Sequence, residues 1–235
     1  MGGGLEEIAD DIWIAEGEVV DFYGFPYPTR SVIVRFANGE LWVWSPVALS
    51  NSLKAEISEI GEPRYLVSPN KIHHLYLQDW KIAYPAATIW GPQSTINKRH
   101  DLIFEAALED CPPSQWQDEL DQAWFKGSLL LDEIVFFHKK SQTAIIADMS
   151  ENFTEEFLQS HWSGWKRRIA HLWGIVEGKG YAPLELRFSF LSRTSLRLAR
   201  DKVLNWNPER VIMAHGKWQE RGGKQYLQQA FGWIG

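Results

Sequence analysis

Hydrophobic and polar positions alternate along the start of the chain, switch to helical spacing, and then repeat both patterns. Residues 11–20, "DIWIAEGEVV", 30–36, "RSVIVRF", and 40–46, "ELWVWSP", read as strands rich in β-branched and aromatic residues. Asn38-Gly39 lies between the last two and marks a hairpin, because both residues accept the backbone of a tight turn. Helical spacing follows in residues 50–61, "SNSLKAEISEIG", with Ser50 or Asn51 as the cap and Gly61 as the stop. Residues 62–69, "EPRYLVSP", return to a strand.

The second half runs the same way. "DEIVFFHKK" (132–140) and "QTAIIADM" (142–149) read as another hairpin. Residues 154–175, "TEEFLQSHWSGWKRRIAHLWGI", read as one helix weakened at Gly164, with Trp162, Trp165 and Trp173 on faces packed against something apolar. A stronger helix, "LSRTSLRLARDKVLNW" (191–206), leads into the strand "RVIMAHG" (210–216). Meander, helix, strand, then meander, helices, strand is the order of an α/β protein with two similar halves in one domain, 1–235.

Composition narrows the partners. Hydrophobic residues make up 45% and charged residues 23% of the 235, as in ordinary globular proteins. Thirteen tryptophans imply either a heavily aromatic core or an exposed aromatic surface. A net charge of −6 argues against nucleic acid, whose phosphates require lysine and arginine. The single cysteine, Cys111, cannot form an intrachain disulfide and fits a reducing compartment. The acidic start lacks a signal peptide, no apolar run reaches transmembrane length, and Met1-Gly2 is not followed by the serine or threonine of a myristoylation site. The expectation is a cytoplasmic protein acting on a small molecule.

Three apolar strands end in residues that bind metals. "YLV" runs into "SPNKIHH" with His73 and His74, "AII" runs into Asp148, and "VIM" runs into His215-Gly216. Imidazoles and a carboxylate from separate strand ends make a ligand set for zinc or iron. Each alone has a plainer reading: a turn for His-Gly, a helix cap for Asp148. The strands expected at 64–68, 143–147 and 211–214 would bring His74, Asp148 and His215 together.

The order and spacing resemble the metallo-β-lactamase fold, whose hallmark is T-H-x-H-x-D-H after a strand, then a bridging Asp and a final His. A closer likeness is to an uncharacterised metallo-β-lactamase-like family catalogued as a domain of unknown function. It is carried by "GFPYPTRSVIVRF", "LWVWSPVALS", "YLVSPNKIHHLYLQDW", "DEIVFFHKKSQTAIIADM" and "AHG". The resemblance implies a four-layer αβ/βα sandwich with its site at one edge.

Laid on that pattern, Pro69 and Lys71 replace the first two histidines, and residues 127–133 hold no histidine, so the first metal site of the fold is expected to be missing. The second site would read His73, His74, Asp148 and His215, holding one zinc or iron ion, with Asp148 orienting the attacking water. The implied function is a metal-dependent hydrolase with an at most mononuclear site. The alternative is a non-catalytic binding or scaffold protein in which Lys71 pairs with Asp148 in place of the metal. Arg30, in "GFPYPTRS", is a candidate wall residue or anion contact beside Lys71, and that stretch a lid or a plain proline turn. His138 reads as a surface residue, and Asp132-Glu133 as a strand cap or an orienting pair.

Overall fold

The computed structural model describes residues 4–235, so Met1 and Gly2 of the N-terminal motif lie outside the described residues. An antiparallel meander opens the chain: β1 (Leu5–Ala9), β2 (Ile12–Phe22), β3 (Phe25–Arg35) and β4 (Glu40–Trp44). At the expected turn Gly39 takes φ 85, and Phe36 N–H donates to Glu40 O at 2.9 Å. Helix α1 (Asn51–Ile60) is capped by Ser50, whose Oγ accepts the Leu53 N–H at 3.1 Å. Strand β5 (Glu62–Val67), helix α2 (Leu77–Ala83), β6 (Thr88–Gly91), helix α3 (Gln93–Lys98) and β7 (Phe104–Ala107) complete the first half. From β4 to β7 the strands run parallel.

The second half starts with the antiparallel strands β8 (Leu120–Phe125), β9 (Glu133–His138) and β10 (Thr143–Ile146). Helices α4 (Glu155–His161), α5 (Gly164–Trp173), α6 (Leu184–Ser189) and α7 (Arg193–Asn205) follow. Strand β11 (Arg210–Met213) then pairs parallel with β10, and helix α8 (Gly223–Ala230) packs behind it. The result is a seven-stranded sheet in order β1 to β7 and a four-stranded sheet in order β11-β10-β9-β8.

Period-two alternation sorts the side chains into layers. Ile12, Ile14, Val32, Val34, Trp42 and Trp44 face the second sheet and meet Ile134, Phe136, Ile145 and Ile212 there. Their neighbours Trp13, Ala15, Ile33 and Val43 face the other way, onto Leu53 and Ile57 of α1 and Trp80 of α2. The outer face of the second sheet, with Val135, Ala144, Ile146 and Met213, is covered by α6, α7 and α8 through Leu186, Leu196, Val203 and Leu227. This is the expected four-layer αβ/βα sandwich. Trp13, Trp42, Trp44, Trp80, Trp90, Trp116 and Trp162 are buried, so seven of the thirteen tryptophans are core. Each removes about 150–250 Å² from water, worth about 4–6 kcal/mol as an upper estimate.

Two local readings need correction. Residues 154–175 form two helices, because Trp162 takes an extended backbone (φ −109, ψ 135) and buries its ring beside Phe153 and Phe25. Its indole N–H donates to Pro26 O at 2.7 Å. The "GFPYPTRS" stretch is the start of β3, paired with β2 (Pro28 opposite Val19, Pro26 opposite Asp21) on either side of a bulge between Glu16 and Val19, so it is a strand and not a free loop, and its Tyr27 and Thr29 line the cavity wall.

Candidate metal centre

The topology delivers three side chains to one edge. Strands β10 and β11 run in register with Ile146 opposite Met213, so Asp148 and His215 emerge side by side two residues later. On the first sheet Trp44 lies opposite Val67, so Ser45 and the loop 68–74 emerge together and face them. His73 Nε2 lies 3.3 Å from Asp148 Oδ2, and His215 Nε2 lies 3.6 Å from Asp148 Oδ1. The two imidazoles sit 5.2 Å apart, centroid to centroid. Among the described residues, His73, Asp148 and His215 form the one group able to offer three ligand atoms within 4.8 Å of one another.

Each imidazole is held through its other nitrogen. His215 Nδ1 donates to the Pro28 carbonyl at 2.7 Å, which fixes the ring with Nε2 turned to Asp148, the atom a neutral imidazole would offer to a metal. His73 Nδ1 meets Ser45 Oγ at 2.8 Å, and its ring stacks near Trp44. Ser45 sits at φ 46, a sparsely populated conformation for a serine. Gly216 is required: at φ +93 an added Cβ would meet Asn152 O at 2.1 Å, where that stretch bridges to Gly216. The two imidazole nitrogens lie 3.3 and 3.6 Å from the two different Asp148 oxygens, and one ligand atom from each residue falls within 4.8 Å of the others. Two imidazoles and one carboxylate are a donor set that could hold one metal ion.

Other expected site residues lie elsewhere. His74 does not face Asp148; its Nδ1 and carbonyl oxygen lie 3.1 and 3.0 Å from Arg99 Nη1. Burial and the charges of Lys98 and Arg99 push its pKa down to about 4. Lys71 forms no ion pair with Asp148: the carboxylate oxygen Oδ2 instead accepts from Asn70 Nδ2 at 2.6 Å. Arg30 is buried inside the fold and makes no wall. It gives Nε and Nη2 to Glu16 and Nη1 to the Met213 carbonyl at 2.6 Å, holding β3 against the end of β11. His138 is fully buried on β9, not at the surface, with Nδ1 on Ser141 Oγ at 2.7 Å.

A family model described as "Domain of unknown function (DUF4336)" matches residues 9–161, well over half of the chain. The chain belongs to that family. No curated protein matches it. Solved structures with the same fold include a DIM-1 metallo-β-lactamase, 12% identical with a TM-score of 0.64, covering 98% of this chain and 98% of that one. A metallo-β-lactamase from Pontibacter korlensis is 9% identical with a TM-score of 0.62, covering 98% and 97%. The rubredoxin oxygen:oxidoreductase of Desulfovibrio gigas is 11% identical with a TM-score of 0.68, covering 98% of this chain and 61% of that one. At these identities the likeness shows the metallo-β-lactamase fold. No helix among the described residues is long and apolar enough to cross a membrane.

In this DUF4336 chain several site residues escaped the sequence pattern. Glu133, buried at the start of β9, accepts the backbone N–H groups of Ala147, Asp148 and Met149 at 2.7, 2.7 and 3.1 Å. Of the two readings for Asp132-Glu133, the orienting one describes Glu133, which fixes the turn presenting Asp148. Burial and the Asp148 charge push Glu133 up to about 8, against the three donors that favour its ionised form. Burial alone would raise Asp148 as well, but His73 and His215 outweigh it and hold the carboxyl well below the usual range. Glu151 is buried 3.5 Å from the Tyr27 hydroxyl, and burial, then Asp148, raise it well above an ordinary carboxyl. Tyr27 in turn packs edge-on against His215 at 4.9 Å. Asn70 is the one partner with a visible signal, since it lies inside the "SPNKIHH" motif; Glu151 follows Asp148 by a turn and carries none.

Proposed function

We propose that this protein is a metal-dependent hydrolase of a small-molecule substrate, with one metal ion per chain held by His73, Asp148 and His215. The observation that supports it is the pair of Nε2 atoms turned to Asp148 while both Nδ1 atoms are engaged by Pro28 and Ser45. A bound zinc or ferrous ion supplies Lewis-acid polarisation and a water activated near neutral pH. The chain's own residues do the rest. Asn70 holds the Asp148 carboxylate and Glu133 its backbone N–H, Asp148 orients the attacking water, and the Tyr27 ring shields His215 from bulk solvent. Pro69, Lys71 and the stretch 127–133 offer no second ligand set, so more than one ion per chain is not expected.

The non-catalytic reading, with Lys71 in the metal's place, needs an ion pair at Asp148 where Asn70 stands. Thermal unfolding separates the two. Zinc in about hundredfold excess over its Kd should stabilise by about 2.7 kcal/mol, or roughly 5–10 °C for a chain of this size. A chelator should reverse the shift, His215→Ala should abolish it, and elemental analysis should find at most one ion. A wild type indifferent to zinc and chelator would leave the scaffold reading standing alone.

A further inference from the structure

The triad lies in the floor of a cavity of about 750 Å³, and the walls of that cavity say more about what enters it. They are mostly apolar, and the rim leaves Phe22, Tyr23, Leu75 and Leu130 exposed to solvent by 40 to 89%. Rings and aliphatic chains held open to water in this way favour an apolar guest. The charged groups of the lining are of both signs, with Asp21 among the acids. Glu151 and Glu185 line it with Asp148, whereas Lys71 and Lys98 line it together and feel each other's charge.

Neither lysine makes an ion pair among the described residues, while nearby Arg99 is already held by Asp101 and His74. Burial, then Lys71 and Arg99, lower the Lys98 pKa, as expected for cations gathered without an anion. Within the loop 68–74 it is Asn70 and His73 that turn to Asp148, which leaves Lys71 without that carboxylate.

We propose that Lys71 and Lys98 form an anion subsite, so that the cavity takes an elongated apolar molecule bearing one carboxylate or phosphate head. The head sits between the two ammonium groups and the apolar body crosses the floor above the triad. The acidic lining contributed by Glu151 and Glu185 disfavours a second anionic group. This deepens the hydrolase reading by naming its substrate class, and it rests on that reading only for the chemistry, not for the binding.

The test is binding to the full-length protein. The neutral fluorophore N-phenyl-naphthylamine is loaded into the cavity and displaced by decanoate, decyl phosphate or decanol. The anions should displace it at concentrations about tenfold lower than the alcohol, as expected for a charge-assisted contact. In the Lys71→Met/Lys98→Met double variant the three should become equal. Lys98→Met alone, at an exposed helix end, should remove part of the preference without affecting the melting temperature. A preference for decanoate over decyl phosphate assigns the head as carboxylate, and the reverse assigns phosphate. Equal displacement by decanol in the wild type, or a preference that survives in the double variant, overturns the proposal. His215→Ala keeps the preference if the subsite is real, so loss of the zinc response and loss of head-group selectivity report on different claims.

Discussion

Two parts of the cavity lining meet at the seven-residue loop 68–74 and differ in how their charges are satisfied. On one side Asn70 and His73 join Asp148 and His215, and the polar atoms that meet there, Glu133 behind them included, have partners. On the other side stand half-buried Lys71 and exposed Lys98, with no counter-ion among the described residues. Ser68 holds the loop in shape by donating to the carbonyls of Asn70 and His73 at 2.7 and 2.9 Å. A satisfied buried cluster is a rigid binding frame, because each lost partner would leave a costly unpaired group. An unsatisfied, hydrated pair of cations costs little in the free protein and is available to a ligand.

The strongest way to break this contrast is at Glu133. Glu133→Ala leaves three buried N–H groups without an acceptor and should cost about 3–5 kcal/mol. It should also remove the zinc response by releasing Asp148, which denaturant unfolding with and without zinc would show. An unfolding midpoint equal to wild type would mean that the triad side is no better anchored than the lysine side.

His138 sharpens the contrast, because it is a buried imidazole without a carboxylate hydrogen-bonded to it. Its Nε2 has no partner among the described residues, and burial pushes its pKa from 6.5 to about 4. The unfolded chain therefore binds a proton below about 6.5 that the folded chain refuses until about 4. Stability should fall as pH drops through that window, by about 1.4 kcal/mol per pH unit from this group, and should not depend on it above 6.5. In His138→Leu the acid slope should lessen by that amount; an unchanged slope would show that His138 is protonated while folded.

The smallest effects are expected at the two residues the motif promotes and the geometry demotes. Lys71→Ala should change stability by less than about 1 kcal/mol, where a buried ion pair with Asp148 would have cost about 3–5. His74→Ala should keep the zinc-induced rise in melting temperature. Loss of that rise would return His74 to the ligand set.

How much was legible follows from where each signal resides. The hairpin at Asn38-Gly39, the Ser50 cap and the alternation in β2, β3 and β4 are local, because turn chemistry and period two act between neighbours. The break at Trp162 was not, because the extended backbone there is stabilised by Phe25 and Pro26, more than a hundred residues away in sequence. The role of Arg30 was hidden for the same reason: its partners are Glu16 across the hairpin and the Met213 carbonyl.

By itself the sequence determined the α/β alternation, the pairing of two meanders with helices, and the three strand ends that carry His73, Asp148 and His215, since these follow from propensity and periodicity along the chain. Only the tertiary structure decided that His73 and not His74 faces Asp148, and that Asn70 and not Lys71 donates to its carboxylate. It also decided that Glu151 is buried beside Tyr27. Adjacent loop residues differ by a few torsions that cost almost nothing locally. Their directions are set by which buried donors and acceptors from Ser45, Arg99, Glu133 and Pro28 must be satisfied once the two sheets have packed.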